Sequence, residues 1–135
     1  MEKYVLFSIA GIATQILVID DKFFLLMDIG DGIISVLLRI GLRFPINKPI
    51  FIFITHEHFD HCGGLFSFLR FLRMLNHIHP VTICSSKQCE KVDSLFKSFR
   101  TVYSSTIPFS MEYRTLKAQE NVVITDKIHI RSYQM

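Results

Sequence analysis

Thr55-His56-Glu57-His58-Phe59-Asp60-His61-Cys62-Gly63-Gly64-Leu65 is the stretch that decides how this chain reads, because it gathers three imidazoles and the Asp60 carboxylate into six residues. Directly before it stand Ile50-Phe51-Ile52-Phe53-Ile54, five apolar β-formers in a row, the pattern of a strand buried on both faces. The histidines therefore project from a loop at the carboxyl end of a sheet. Loops held by a rigid scaffold are where ligand-bearing residues gather.

Imidazole and carboxylate together suit zinc and other first-row ions, and catalytic sites keep one coordination position for water or substrate. His56 and His58 are two apart, so in extended backbone they point the same way and can grip one ion. Asp60 follows in phase, while His61 falls on the other side unless the backbone turns. A turn after Phe59 would send Asp60 and His61 toward a second ion, and Gly63-Gly64 would allow a tight passage into a helix. The bland reading, a polar loop of satisfied histidines, has to explain why such groups crowd beside a buried strand at a desolvation cost.

Working outward, Tyr4 to Ala10, Ala13 to Ile19 and Lys22 to Asp28 read as strands, with turns at Gly11 and Asp20-Asp21. Ile33 to Leu42 reads as a helix, and Pro45 and Pro49 bracket the loop into the Ile50 strand. Beyond the motif, Leu65, Phe68, Leu69, Leu72 and Leu75 follow helical spacing, with Arg70 and Arg73 on another face. Val81 to Cys84 reads as a strand. Ser85 with Gln88 has the form of a capping box, ahead of a helix whose buried stripe is Cys89, Val92, Leu95, Phe96 and Phe99. Strands are then expected at Ile107 to Phe109, Glu112 to Leu116, Val122 to Ile124 and Lys127 to Ser132.

The Thr55 to Leu65 stretch resembles the signature loop of the metallo-β-lactamase fold, a superfamily of metal-dependent hydrolases. Phe24-Leu25-Leu26-Met27-Asp28-Ile29-Gly30-Asp31-Gly32 resembles that family's earlier strand ending in an Asp-x-Gly turn. The resemblance implies an α/β fold, an αββα sandwich of which residues 1–135 form the amino-terminal half as a single domain: a mixed sheet with flanking helices. It implies that His56 and His58 ligate a first metal, that Asp60 and His61 ligate a second, and that Asp28 supports the histidine loop without being a ligand. The cofactor implied is zinc, two ions in a complete protein. Asp60 is then the catalytic residue that orients the attacking water or takes its proton. Family members run well past 200 residues and draw about seven ligands from both halves. A further histidine would follow a strand like Lys127 to Ser132. The order of elements is most similar to the ribonuclease Z branch, phosphodiesterases that trim the 3′ end of transfer RNA precursors.

No other residue replaces the absent ligands convincingly. His77 and His79 have the spacing of a metal clip, but a helix of about eleven residues, roughly 16 Å, separates them from the loop. His129 alternates with Ile128 and Ile130, so on a strand it faces away from the apolar side. Cys62 could bring a thiolate to the second metal or act as a small packing residue, and the second reading is the simpler. Three cysteines without disulfide or paired metal spacing favour a reducing cytoplasm.

Half of the residues are hydrophobic and 13 are Phe. With a mean hydropathy of +0.35, this suits a sheet that expects to be covered by a partner surface, and predicts a homo-oligomer or association with a second half. Uncharged Tyr4 to Ile19 has the length of a leader segment, but Ser8, Gly11, Thr14 and Gln15 interrupt it, and no membrane span is expected. The net charge of +3 mildly favours an anionic substrate such as RNA or another phosphoester. Arg39, Arg43, Lys48, Arg70 and Arg73 are its candidate holders or simply solvated faces. Three readings remain: a metal-dependent hydrolase, most simply a phosphodiesterase or ribonuclease Z-like nuclease; a non-catalytic metal-binding or partner-binding module of the same fold; and a small enzyme completed across a homodimer. Turnover by this chain alone is left open.

Overall fold

The computed structural model describes residues 1–6, 15–86, 89–125 and 128–133. Six strands form one mixed sheet in chain order: β1 (Glu2–Leu6), β2 (Gln15–Ile19), β3 (Phe24–Met27), β4 (Ile50–Ile54), β5 (Val81–Ser86) and β6 (Met111–Leu116). β1, β2 and β3 pair antiparallel, and β3 to β6 run parallel. Each parallel crossover carries helix: α1 (Ile33–Arg39) between β3 and β4, α2 (Phe59–Cys62) with α3 (Leu65–Met74) between β4 and β5, and α4 (Glu90–Tyr103) between β5 and β6. A separate antiparallel hairpin, β7 (Asn121–Thr125) with β8 (Ile128–Arg131), closes the described chain.

Alternation along the strands sorts the core into two layers. Phe24 and Leu26 of β3, Ile50, Ile52 and Ile54 of β4, and Val81 and Ile83 of β5 meet Leu65, Phe68, Leu69 and Leu72 of α3 and Val92, Phe96 and Phe99 of α4. The opposite face carries Leu25, Phe53 and Cys84, packed beneath Val122, Ile124, Ile128 and Ile130 of the hairpin. The β4 run of five apolar residues is thus explained, since both of its faces are covered. The hairpin leaves part of that second face bare: Val5 and Ile16, directly paired across β1 and β2, are 54% and 40% exposed. Among the described residues no helix is long and apolar enough to cross a membrane.

Several boundaries differ from the sequence reading, each for a local reason. Helix α1 stops at Arg39, short of Leu42, because Gly41 takes φ +83°. The Leu42 N–H then donates to the Leu37 carbonyl and the Gly41 N–H to that of Leu38, a Schellman closure. Leu75, expected in the buried stripe of α3, is its C-cap and is 36% exposed. Ser85 does not cap α4: it lies in β5, which runs two residues past Cys84, and its hydroxyl bonds Tyr113 while Cys89 takes the cap position. Gln88 lies outside the described residues, as do Phe7 to Thr14 of the first two expected strands and Lys127. Ile107 to Phe109 is no strand. α4 runs on to Tyr103 and ends in a 3-10 turn, Ser104–Thr106, after which Pro108 offers no N–H to a ladder and Phe109 is buried against Phe99.

Candidate metal centre

The carboxyl ends of β3 and β4 build the site together. Asp28 leaves β3 at φ +67°, a left-handed geometry that turns the chain sharply, and its N–H donates to the Phe53 carbonyl at 2.7 Å. The Ile29 N–H then donates to the His61 carbonyl at 2.7 Å, and the Gly64 N–H to the Ile29 carbonyl at 2.9 Å. These bonds stitch the turn after β3 onto the histidine loop. The approach is so close that a Cβ on Gly64 would lie 2.1 Å from the Gly30 carbonyl oxygen, which is why glycine stands there. Gln15 anchors the same turn from β2: buried, it accepts the Gly30 N–H on Oε1 at 3.0 Å.

Asp28 is the hub of the polar contacts. It is buried, its Oδ1 accepts the Thr55 N–H at 2.7 Å, and its Oδ2 accepts the Thr55 hydroxyl at 2.7 Å. The same Oδ2 lies 2.9 Å from His61 Nδ1. A carboxylate only accepts, so Nδ1 carries the proton and Nε2 presents its lone pair outward, 3.7 Å from Asp60 Oδ2. The tautomer of His61 is thereby set by a residue 33 positions earlier. A histidine held by a carboxylate in this way is oriented for metal.

The chain turns where expected: His58 is extended at φ −67°, ψ 146°, and Phe59–Cys62 wind into one helical turn. Ring centroids of His56 and His58 lie 4.2 Å apart and those of His56 and His61 5.2 Å apart. Two imidazoles on one tetrahedral zinc have centroids about 5 Å apart, given Zn–N bonds near 2.0–2.1 Å. The His56–His61 spacing matches that, whereas His56 and His58 must swing slightly apart to share an ion. Among the described residues no three His, Cys, Asp or Glu side chains already converge on one point. The donor set nonetheless fits a metal chemically: three imidazoles and a carboxylate share one loop, and one of the rings is fixed in the ligating tautomer. Asp60 is half-buried, and His56 and His58 are exposed.

Cys62 is buried, its Sγ donates to the Glu57 carbonyl at 3.3 Å, and burial pushes its thiol up to about 11, the properties of a packing residue. His77 and His79 lie just before β5, whose first residue pairs with the first of β4, so they sit at the opposite end of the sheet from the loop. His129 is exposed on β8, as its alternation predicts. Of the basic candidates, Arg73 donates to the Thr106 hydroxyl and covers the Tyr103 ring at 4.4 Å, and Lys48 donates to the Asp20 carbonyl. Both are engaged in the scaffold, and Lys48 precedes β4 at the end away from the histidines. Arg39 and Arg43 flank the end of α1, and Arg70 lines a groove with Asp31 and Ser67. Sequence reasoning passed over Thr55 and Gln15 as site-builders. Gln15, a polar residue in phase with buried Leu17, was the available signal.

A mixed sheet whose parallel strands raise this loop, with helices on one face and a hairpin on the other, defines the metallo-β-lactamase fold. The chain belongs to the metallo-beta-lactamase superfamily, whose family model matches residues 10–128. Among curated relatives it is 23% identical over 123 residues to the ribonuclease Z of Porphyromonas gingivalis, covering 91% of this chain and 38% of that protein. It is 27% identical over 113 residues to the ribonuclease Z of Bacteroides thetaiotaomicron, covering 84% and 34%. The chain thus spans little more than a third of the length of these relatives. Human tRNase Z, short form, superposes with a TM-score of 0.66 at 21% identity, over 87% of this chain and 47% of that one. A diphosphatase of the PhnP family gives 0.51 at 21% identity, over 82% and 40%.

Proposed function

We propose that the His56–His61 loop is the metal centre of a phosphodiesterase that acts on RNA in the manner of ribonuclease Z. The observation that carries this reading is the Asp28–His61–Thr55 lock, which fixes an imidazole lone pair outward at the end of two parallel strands. In this reading His56 and His58 hold one zinc ion, Asp60 and His61 a second, and further ligands come from outside the described residues, in a following segment or another copy. Zinc bound there would supply a water acidified toward neutrality and a Lewis acid for the scissile phosphorus. The chain's own contributions are then distinct. Asp28 keeps His61 in the ligating tautomer and holds its ring in place. Asp60, beside His61 Nε2, orients the water or accepts its proton on Oδ. The three cysteines, all buried and free, suit a reducing cytoplasm.

Exposed, paired Val5 and Ile16 favour a second reading, a module that binds metal or a partner across that bare sheet face without turnover. Metal per chain by elemental analysis, with hydrolysis of bis(p-nitrophenyl) phosphate and of a transfer RNA precursor, separates the two. Under the first reading, wild type holds zinc and cleaves, and the His56→Ala/His58→Ala variant loses both. Zinc without cleavage would favour the binding module, and a wild type that holds no zinc would refute the metal centre.

A further inference from the structure

Phe59 sits between two candidate ligands, His58 and Asp60, and is 58% exposed. An aromatic side chain left largely in water at that position forgoes hydrophobic burial. Among the described residues no aromatic ring packs on it, and the Lys91 Nζ stands 5.6 Å from its ring centroid. Lys91 is itself out of place by the standards of helix stability. It lies in the first turn of the fourteen-residue α4, the positive end of the helix dipole, where a cation is disfavoured. Glu90 and Asp93, in the same turn, obey the rule that Lys91 breaks. Neither residue is placed for the stability of its own element, and both stand at the rim of the histidine loop.

We propose that Phe59 and Lys91 form a nucleotide-binding subsite beside the metal centre: the open face of Phe59 stacks a base of single-stranded RNA flanking the scissile phosphodiester, and Lys91 holds an adjacent phosphate. The chemistry is that of single-strand binding, in which an aromatic platform is worth about 1–3 kcal/mol per base and a lysine neutralises the backbone. This deepens the reading of the loop as an RNA phosphodiesterase centre and rests on it.

Binding of a fluorescein-labelled single-stranded RNA, followed by anisotropy across a salt series with the protein in its purified state, tests the subsite apart from turnover. Phe59→Ala should weaken binding about 5- to 150-fold, the fold-change equivalent of the stacking range, while Phe59→Trp retains it. Lys91→Ala should lower the salt slope by about 0.7. Where turnover is present, Phe59→Ala should raise KM for thymidine 5′-p-nitrophenyl phosphate by a larger factor than for methyl p-nitrophenyl phosphate, which lacks a base. Wild-type RNA affinity in Phe59→Ala would overturn the subsite and leave the metal centre standing. A wild type that holds zinc and hydrolyses phosphodiesters but binds no RNA would overturn the subsite together with RNA as the substrate, and leave the metal centre standing. A wild type that neither holds zinc nor binds RNA would overturn the underlying reading and the subsite together.

Discussion

Replacing Asp28 with Asn changes one oxygen for an NH2 group and inverts the logic of the site. In the native protein Oδ1 accepts the Thr55 N–H at 2.7 Å, a bond the amide oxygen of Asn can keep. Oδ2 accepts both the Thr55 hydroxyl at 2.7 Å and the His61 Nδ1–H at 2.9 Å. The hydroxyl can rotate and accept from the new NH2. The imidazole cannot keep its proton on Nδ1, because two donors would then face each other. His61 must move that proton to Nε2, the nitrogen that points toward Asp60, or swing away. Either way the lone pair needed for a metal is lost. Loss of one charge-assisted hydrogen bond in a buried setting costs about 1.5–3 kcal/mol of stability, and loss of such an orienting partner costs about 10- to 100-fold in metal affinity. Zinc competition against a chromophoric chelator reads the affinity, and long-range 15N NMR of the imidazoles reads the tautomer directly. An Asp28→Asn protein with wild-type zinc affinity and His61 still protonated on Nδ1 would refute the reasoning.

Two further outcomes follow from packing and burial. Gly64→Ala should destabilise by about 1–3 kcal/mol or more, because its Cβ would meet the Gly30 carbonyl oxygen at 2.1 Å and Ile33 Cγ2 at 2.9 Å; Gly41→Ala, at φ +83° with open space around it, should cost only the left-handed strain of about 1–2 kcal/mol, and urea midpoints compare the two. His77 is 4% exposed, its Nε2 has no hydrogen-bond partner among the described residues, and burial, followed by the neighbouring His79, lowers its pKa from the usual 6.5. The unfolded chain therefore takes up the proton first as pH falls, so the stability tied to neutral His77 is complete above about 6.5 and lost below it. The urea midpoint should fall between pH 7.5 and 5 in wild type and fall less in His77→Leu; equal pH dependence in both would count against a neutral buried His77.

The sequence alone determined the elements that repeat a pattern strongly: the β4 run from Ile50 to Ile54, the α3 stripe through Leu65, Phe68, Leu69 and Leu72, and the loop that groups His56, His58, Asp60 and His61. Such features are local, set by side-chain period and by residue chemistry within one short segment. Tertiary structure decided what depends on distant segments meeting. Asp28, Thr55 and Gln15 become one hydrogen-bonded frame only because β2, β3 and β4 lie side by side; the phase of Gln15 with buried Leu17 marks it as inward-facing but does not say which residues it meets. The placement of Lys91 over Phe59 is of the same kind, since it needs the start of α4 to come beside α2 before the two residues meet. The coil at Ile107 to Phe109 differs from the expected strand for a related reason: Phe109 is buried against the ring of Phe99, so its hydrophobicity reports tertiary packing and carries no strand period.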